Sequence, residues 1–349
     1  MKKFFAVIGN PPYQDESLGG NDRYAPQIYN TFIDESYQVA DMTVLVHPGR
    51  FLFNAGSTPK AWNKKMLNDE HFCILDYKND AREVFPNTSI TGGVAISYHS
   101  HKKTFTPIEV FSPFQEVNSI RNKVVKSEDF KSLSNIVVSA YSYHFSDKLY
   151  EQYPELKGTL SDGHDYDLKS NVFDLLSDVF YDKAVESDML AIYGRQNNDR
   201  CFKFIKKEYI VAPSNVDKYK IFVAGADGAA GTIGKPIPAR ICGNPVIGEP
   251  NVGATESFLS VGSFKSRKEA SNALNYLKTK FARFQLGILK ATQAITPEKW
   301  KYVPLQDFSS KSDIDWTKSV HEIDLQLYKK YGLSKDEKDF IETHVKEMV

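Results

Sequence analysis

The sequence predicts an α/β fold over its first third, followed by a mixed α+β region and a helical tail. Three observations carry this. Short runs rich in β-branched and aromatic residues alternate with helical periodicities up to about residue 100; irregular, loop-rich segments begin at about residue 120; charged amphipathic stretches close the chain. A chain of 349 residues is long enough for two or three domains. The expected divisions are 1–120, 121–308 and 309–349.

The run Phe4-Phe5-Ala6-Val7-Ile8 reads as a buried strand that stops at Gly9. A helix is expected near residues 27–39, where Ile28, Phe32, Ile33 and Tyr37 fall on one face. Next come a strand at 42–46, a short segment at 50–53, a helix near 59–67, and strands at 72–77 and 93–98. Strands alternating with helices favour an α/β sheet over a sandwich. Farther on, 161–167 and 225–236 read as loops, and 266–290 as one long helix with an apolar stripe through Ala270, Leu274, Leu277, Phe281, Phe284 and Ile288. The stretch 313–349 reads as two charged helices, the first stopped by Gly332 and the second capped by Ser334.

Composition narrows the function classes. With 41% hydrophobic and 25% charged residues the chain is an ordinary globular protein, which excludes disordered, collagen and coiled-coil classes. Cys73, Cys201 and Cys242 stand far apart without ligand spacing, so neither a disulfide framework nor a zinc site is expected, and a reducing, cytoplasmic setting fits. The eight histidines show no metal spacing either. Residues 165–169 hold nuclease residue types without the spacing a nuclease centre needs. No run approaches the roughly 20 apolar residues of a membrane span, so no membrane partner is expected. The N-terminal MKKFFAVIG is too short in its apolar part to be a signal peptide.

The formal net charge of zero conceals an asymmetry. Residues 190–306 hold 18 Lys plus Arg against 8 Asp plus Glu, so the rest of the chain is correspondingly acidic. Aromatic residues such as Tyr193, Phe202, Phe204, Tyr209, Phe281, Phe284, Trp300 and Tyr302 are interleaved with these cations. That pattern is the footprint of a nucleic-acid surface, with a solvated helix face as the plainer alternative.

Asn10-Pro11-Pro12-Tyr13 comes directly after the first strand, where active-site loops of open α/β sheets lie. The tetrapeptide suits methylation of an amine attached to an aromatic base. Such an amine is a poor nucleophile because its lone pair is delocalised into the ring. The Asn10 side-chain oxygen and the Pro11 carbonyl are placed to accept one amine hydrogen each and draw the nitrogen toward tetrahedral geometry. Pro11 and Pro12 fix φ and hold that carbonyl, and Tyr13 offers an aromatic face to an extruded base. An Asn-Pro turn with a rim tyrosine is the alternative.

VIGNPPYQ resembles motif IV of the amino-methyltransferases that modify adenine in DNA, especially the methylase part of Type IIG-like restriction-modification enzymes. Residues 44–53 look like motif VI and residues 84–98 like motif VIII, with Phe85 matching the aromatic that stacks on the second face of the flipped base. Residues 275–293, 300–308 and 313–348 look like the family's target-recognition region and closing helices. The resemblance implies a partial Rossmann-like methyltransferase sheet, a mixed α+β target-recognition domain and a helical C-terminal tail. It further implies S-adenosyl-L-methionine as methyl donor and double-stranded DNA as substrate. For Lys278, Lys280 and Arg283 it implies DNA proximity through phosphate attraction.

The sequence departs from that family in one respect. The glycine-rich donor loop and the acidic residue after the second strand are expected ahead of motif IV, and only nine residues precede Asn10. The sole glycine-rich candidate, residues 223–234, has glycines every third residue and runs into Pro236 and Pro238, so it reads as a recognition-domain loop. The expectation is therefore either a methylase that takes its donor site from a second polypeptide, or a DNA-binding specificity protein that keeps the base pocket without transferring methyl groups.

Overall fold

A computed structural model describes residues 4–15, 26–53, 56–87, 90, 92–197, 199–227, 233, 237–290 and 293–348. The chain divides into two compact units, Met1–Asn118 and Ser119–Val349. The expected 309–349 tail belongs to the second of these.

In the first unit, strand β1 (Phe4–Gly9) leads through the motif to helix α1 (Tyr29–Val39), strand β2 (Ala40–Pro48) and a 3-10 turn, Arg50–Phe53. Helix α2 (Lys60–Leu67) and strands β3 (Phe72–Lys78) and β4 (Val94–Ser100) come next. These are the predicted elements, each extended or trimmed by a few residues. The sheet order is β1-β2-β4-β3, with β1 parallel to β2 and the other two pairings antiparallel. Tyr29 and Ile33 of α1 and Trp62 and Met66 of α2 pack with Leu45, Phe51, Phe72 and Ala95 in one core cluster.

The expectation of a buried first strand is corrected. Phe4, Phe5 and Ile8 are 57%, 73% and 78% exposed, and only Val7 packs against the core. Strand β1 lies at the sheet edge and pairs with β2 alone among the described residues, so an apolar run suited to two covered faces and two strand neighbours has one of each.

Helix α3 (Gln115–Val125) contains the division between the units. The second unit continues with strands β5 (Val137–Val138) and β6 (His144–Phe145) and short helices α4 (Asp147–Gln152) and α5 (Val172–Leu175). Then come β7 (Met189–Gln196), β8 (Asp199–Lys206), β9 (Ile210–Val211) and β10 (Tyr219–Ala224). Strands β11 (Val246–Gly248), β12 (Val252–Ala254) and β13 (Phe258–Phe264) complete its sheets, ordered β11-β10-β13-β5, β12-β7-β8 and β6-β9.

The single helix expected over 266–290 is two, α6 (Arg267–Lys278) and α7 (Lys280–Leu289). Thr279 has extended backbone and its hydroxyl accepts from the Ala282 amide, so a new N-cap interrupts a continuous apolar stripe. Helices α8 (Val320–Lys330) and α9 (Lys335–His344) end the chain, with Gly332 at φ +60° between them and Ser334 forming a capping box with Glu337. No helix is long and apolar enough to cross a membrane among the described residues.

Candidate active site and nucleic-acid surface

Strand pairing brings three separate segments to one end of the first sheet. Gly9 is level with Leu45 on the parallel strand, so residues 10–13 and the turn after Pro48 leave from the same end. Pro48 and Lys78 both pair with Val94, which brings the segment between β3 and β4 to that end as well. The Gly49 amide donates to the Gly93 carbonyl at 2.9 Å and joins the second and third segments.

Glycine is required at this junction. Gly93 has φ +72°, and a Cβ there would stand 2.3 Å from the Lys78 carbonyl oxygen. Gly92, at φ +89°, would place its Cβ 2.5 Å from Cγ of Arg50. The Tyr77 hydroxyl donates to the Gly92 carbonyl (3.1 Å), and its ring packs with Phe53 and Phe111.

Within the motif, Asn10 and Pro12 are exposed while Pro11 and Tyr13 are half-buried. The Tyr13 carbonyl accepts from the Ile28 amide at 3.2 Å, and the Asp15 amide donates to Pro26 at 2.9 Å, which ties the end of the motif to the entry of α1. The ring of Tyr13 packs against the core, and its buried hydroxyl has no hydrogen-bond partner among the described residues. Desolvation pushes its pKa up to about 12, so the phenol stays neutral. Phe85 is half-buried, its amide donating to the Ala81 carbonyl at 2.8 Å, and neither it nor Tyr13 pairs with another aromatic ring among the described residues.

Behind this end of the sheet lies His47, which sequence reasoning missed. It is fully buried, with Nδ1 3.1 Å from the Pro48 carbonyl and Nε2 2.9 Å from the Ser97 hydroxyl. A carbonyl only accepts, so Nδ1 carries the proton and Nε2 accepts from Ser97. Burial lowers its pKa to about 4.

The cationic residues of the second unit divide between interior and surface. Arg283 is 1% exposed and its guanidinium donates to the carbonyls of Lys278, Arg240 and Lys346. The Lys280 ammonium is held by the Glu342 carboxylate and carbonyl at 2.6 and 3.0 Å. A phosphate contact fits neither placement; Lys278 is half-buried, and its carbonyl serves Arg283. Lys220 is also buried, donating to the carbonyls of Val216, Lys218 and Glu249. Most of the interleaved aromatics, including Tyr193, Tyr209, Phe281, Phe284, Trp300 and Tyr302, are core residues. Phe202 is 47% exposed, and Phe204 is half-buried.

No group of three or more His, Cys, Asp or Glu residues could hold a metal ion among the described residues. The predicted loop at 225–236 and the glycine-rich stretch 223–234 lie largely outside them, since 228–232 and 234–236 are not described. Immediately beyond β10, the Gly225 amide donates to the Ser257 carbonyl and its carbonyl accepts from the Ile295 amide, both at 2.8 Å.

Residues 1–85 match the family model of the Eco57I restriction-modification methylase. No curated protein matches the sequence. Among solved structures, the type IIG restriction endonuclease BpuSI is similar at 12% identity and TM-score 0.35, over 90% of this chain and 48% of that one. The type IIL restriction-modification enzyme MmeI in complex with DNA is similar at 9% identity and TM-score 0.31, over 97% and 56%. The ATP-dependent type ISP enzyme LlaBIII bound to DNA is similar at 10% identity and TM-score 0.20, over 74% and 24%. The chain thus spans about half the length of the first two.

Proposed function

We propose that this chain is the catalytic and target-recognition part of a site-specific DNA adenine-N6 methyltransferase of restriction-modification type. One observation carries the proposal. Asn10-Pro11-Pro12-Tyr13 leaves the carboxyl end of β1 at the sheet end where the turn after Pro48 and the segment before Val94 converge. The methylase family match over residues 1–85 spans the motif, the turn after Pro48 and the first part of the segment before Val94.

In this reading a target adenine is extruded from the duplex and its amine is received by Asn10 and Pro11. The exposed Asn10 amide oxygen accepts one amine hydrogen and the Pro11 carbonyl the other, which leaves the nitrogen lone pair directed at an incoming methyl group. Tyr13 supplies one stacking face, neutral and braced by the core, and Phe85 the other.

In this reading the donor is held by a further segment, from this polypeptide or another. The open edge of β1 supports that arrangement, since Phe5 and Ile8 are exposed on a strand with no charged residue to deter pairing. A second reading is a specificity protein derived from such a methylase, which binds DNA without transferring methyl groups.

The test is transfer of labelled methyl from S-adenosyl-L-methionine to duplex DNA, with the chain supplemented by a polypeptide carrying a glycine-rich donor loop. Asn10→Ala should reduce transfer by at least about 10²-fold, the scale of losing one positioned polar contact to the reacting group, while DNA affinity is retained. Undiminished transfer would remove the motif from the chemistry; DNA binding without transfer under every complement would leave the specificity protein.

A further inference from the structure

The β7–β8 hairpin of the second unit ends in a narrow ribbon. Strand β12 accompanies β7 as far as Tyr193, and Tyr181 bridges β8 at Phe204. The last two pairs of the hairpin, Arg195 with Arg200 and Gln196 with Asp199, lie beyond both contacts, so no third strand flanks them among the described residues. From Gly194 to the turn at Asn197 the chain advances three residues, about 10 Å at the usual strand rise. That reach suits a major groove, which is about 8.5 Å deep, about 12 Å wide and admits a two-stranded ribbon.

The side chains at this tip suit bases better than phosphates. Residues 195–200 read Arg-Gln-Asn-Asn-Asp-Arg, without a lysine. Asn197, at φ +50°, serves the turn, and Gln196 donates to the Asp174 carboxylate at 2.8 Å. Asp199 is exposed next to Arg200, where a carboxylate works against a phosphate. Arg200 itself is exposed and oriented. Its Nη1 donates to the Asn244 carbonyl at 3.2 Å, and the guanidinium carbon lies 5.6 Å from the centroid of the buried Phe258 ring, which Tyr193 braces at 4.5 Å. No hydrogen bond occupies Nε or Nη2 among the described residues, so one planar fork of the guanidinium is open.

We propose that the β7–β8 tip enters the major groove of duplex DNA and that Arg200 reads a guanine there, its open fork donating to O6 and N7. The inference rests on the DNA-methylase reading and gives it a specificity-determining residue. A phosphate asks for charge, which an unrestrained side chain also delivers. A guanine edge asks for two donors held in one plane, and the Asn244 carbonyl and the Phe258 ring hold that plane.

The experiment is selection of duplexes from a randomised pool by the full chain, followed by fluorescence anisotropy of the selected duplex and its single-base replacements. The unaltered chain should select a guanine at one position or more. R200A should bind the selected duplex about tenfold to hundredfold more weakly, with the preference relaxed at one guanine position and kept at the others. Its affinity for unrelated duplexes should not change. R200K keeps the charge without the fork and should relax the same position; it carries the test alone if thermal melting shows that R200A is not folded. Weakening that is uniform over all duplexes, with the slope of log affinity against log salt lower by about 0.9, overturns the proposal by making Arg200 a phosphate contact. A guanine preference that survives in both variants overturns it, as does a selected set without guanine. No binding of any duplex by the unaltered chain would bring down the DNA-methylase reading itself.

Discussion

Tyr13 and His47 show how the two kinds of residue near the motif differ in what they do. The Tyr13 hydroxyl is buried without a hydrogen-bond partner among the described residues, so in the proposed reading its ring, not its oxygen, serves the site. Tyr13→Phe should therefore leave methyl transfer and stability nearly unchanged. Tyr13→Ala should cost a stacking contact of about 1–3 kcal/mol per base, read as about a tenfold to hundredfold loss of transfer at limiting DNA. Equal losses in both variants would give the hydroxyl a role of its own. His47 is a structural group with a pH signature. Unfolded, it takes a proton near pH 6.5; folded, desolvation delays this to about 4. The neutral imidazole thus contributes stability that is complete above pH 6.5 and is lost as pH falls through 4, about 3 kcal/mol in all. Urea unfolding across that range should show the slope, and His47→Gln should flatten it. A slope that persists in the variant would have to come from other groups.

At the scale of elements, the junction of the turn after Pro48 with the strand at Val94 is set by backbone conformation. Gly93→Ala forces a Cβ against the Lys78 carbonyl at a positive φ and should destabilise the first unit by about 1–3 kcal/mol or more. The measurement is the urea midpoint, and an unshifted midpoint would mean that the junction relaxes at no cost. The same scale shows where local reading succeeds. The strands and helices of the first unit were legible because apolar periodicity and turn residues are local signals, and the Ser334 capping box and Gly332 were legible in the same way. The break at Thr279 was not. Its neighbours Leu277 and Phe281 continue one apolar stripe, and the cap that divides it depends on Lys280 and Phe281 amides finding the buried carboxylate of Asp324, 44 and 43 residues away.

For the whole molecule, the decisive quantity is what the chain binds by itself. In the proposed reading the donor is held by a further segment, so calorimetry with S-adenosyl-L-methionine and the chain alone should show no tight binding; tight binding would place the donor site within this chain. Charge belongs to the same scale. The surplus of cations over residues 190–306 is a property of the sum, and the sum is blind to burial: Arg283 and Lys220 belong to the interior, where backbone carbonyls satisfy them. What the sequence determined by itself is the succession of elements and the position of Asn10-Pro11-Pro12-Tyr13 directly after a strand, because both are written in near neighbours. Only the tertiary structure decided that this strand is an exposed edge, that three segments meet beyond its end, and that the 266–290 stripe is divided at Thr279. Each of those depends on pairing between distant residues, and pairing of that kind leaves no local period to read.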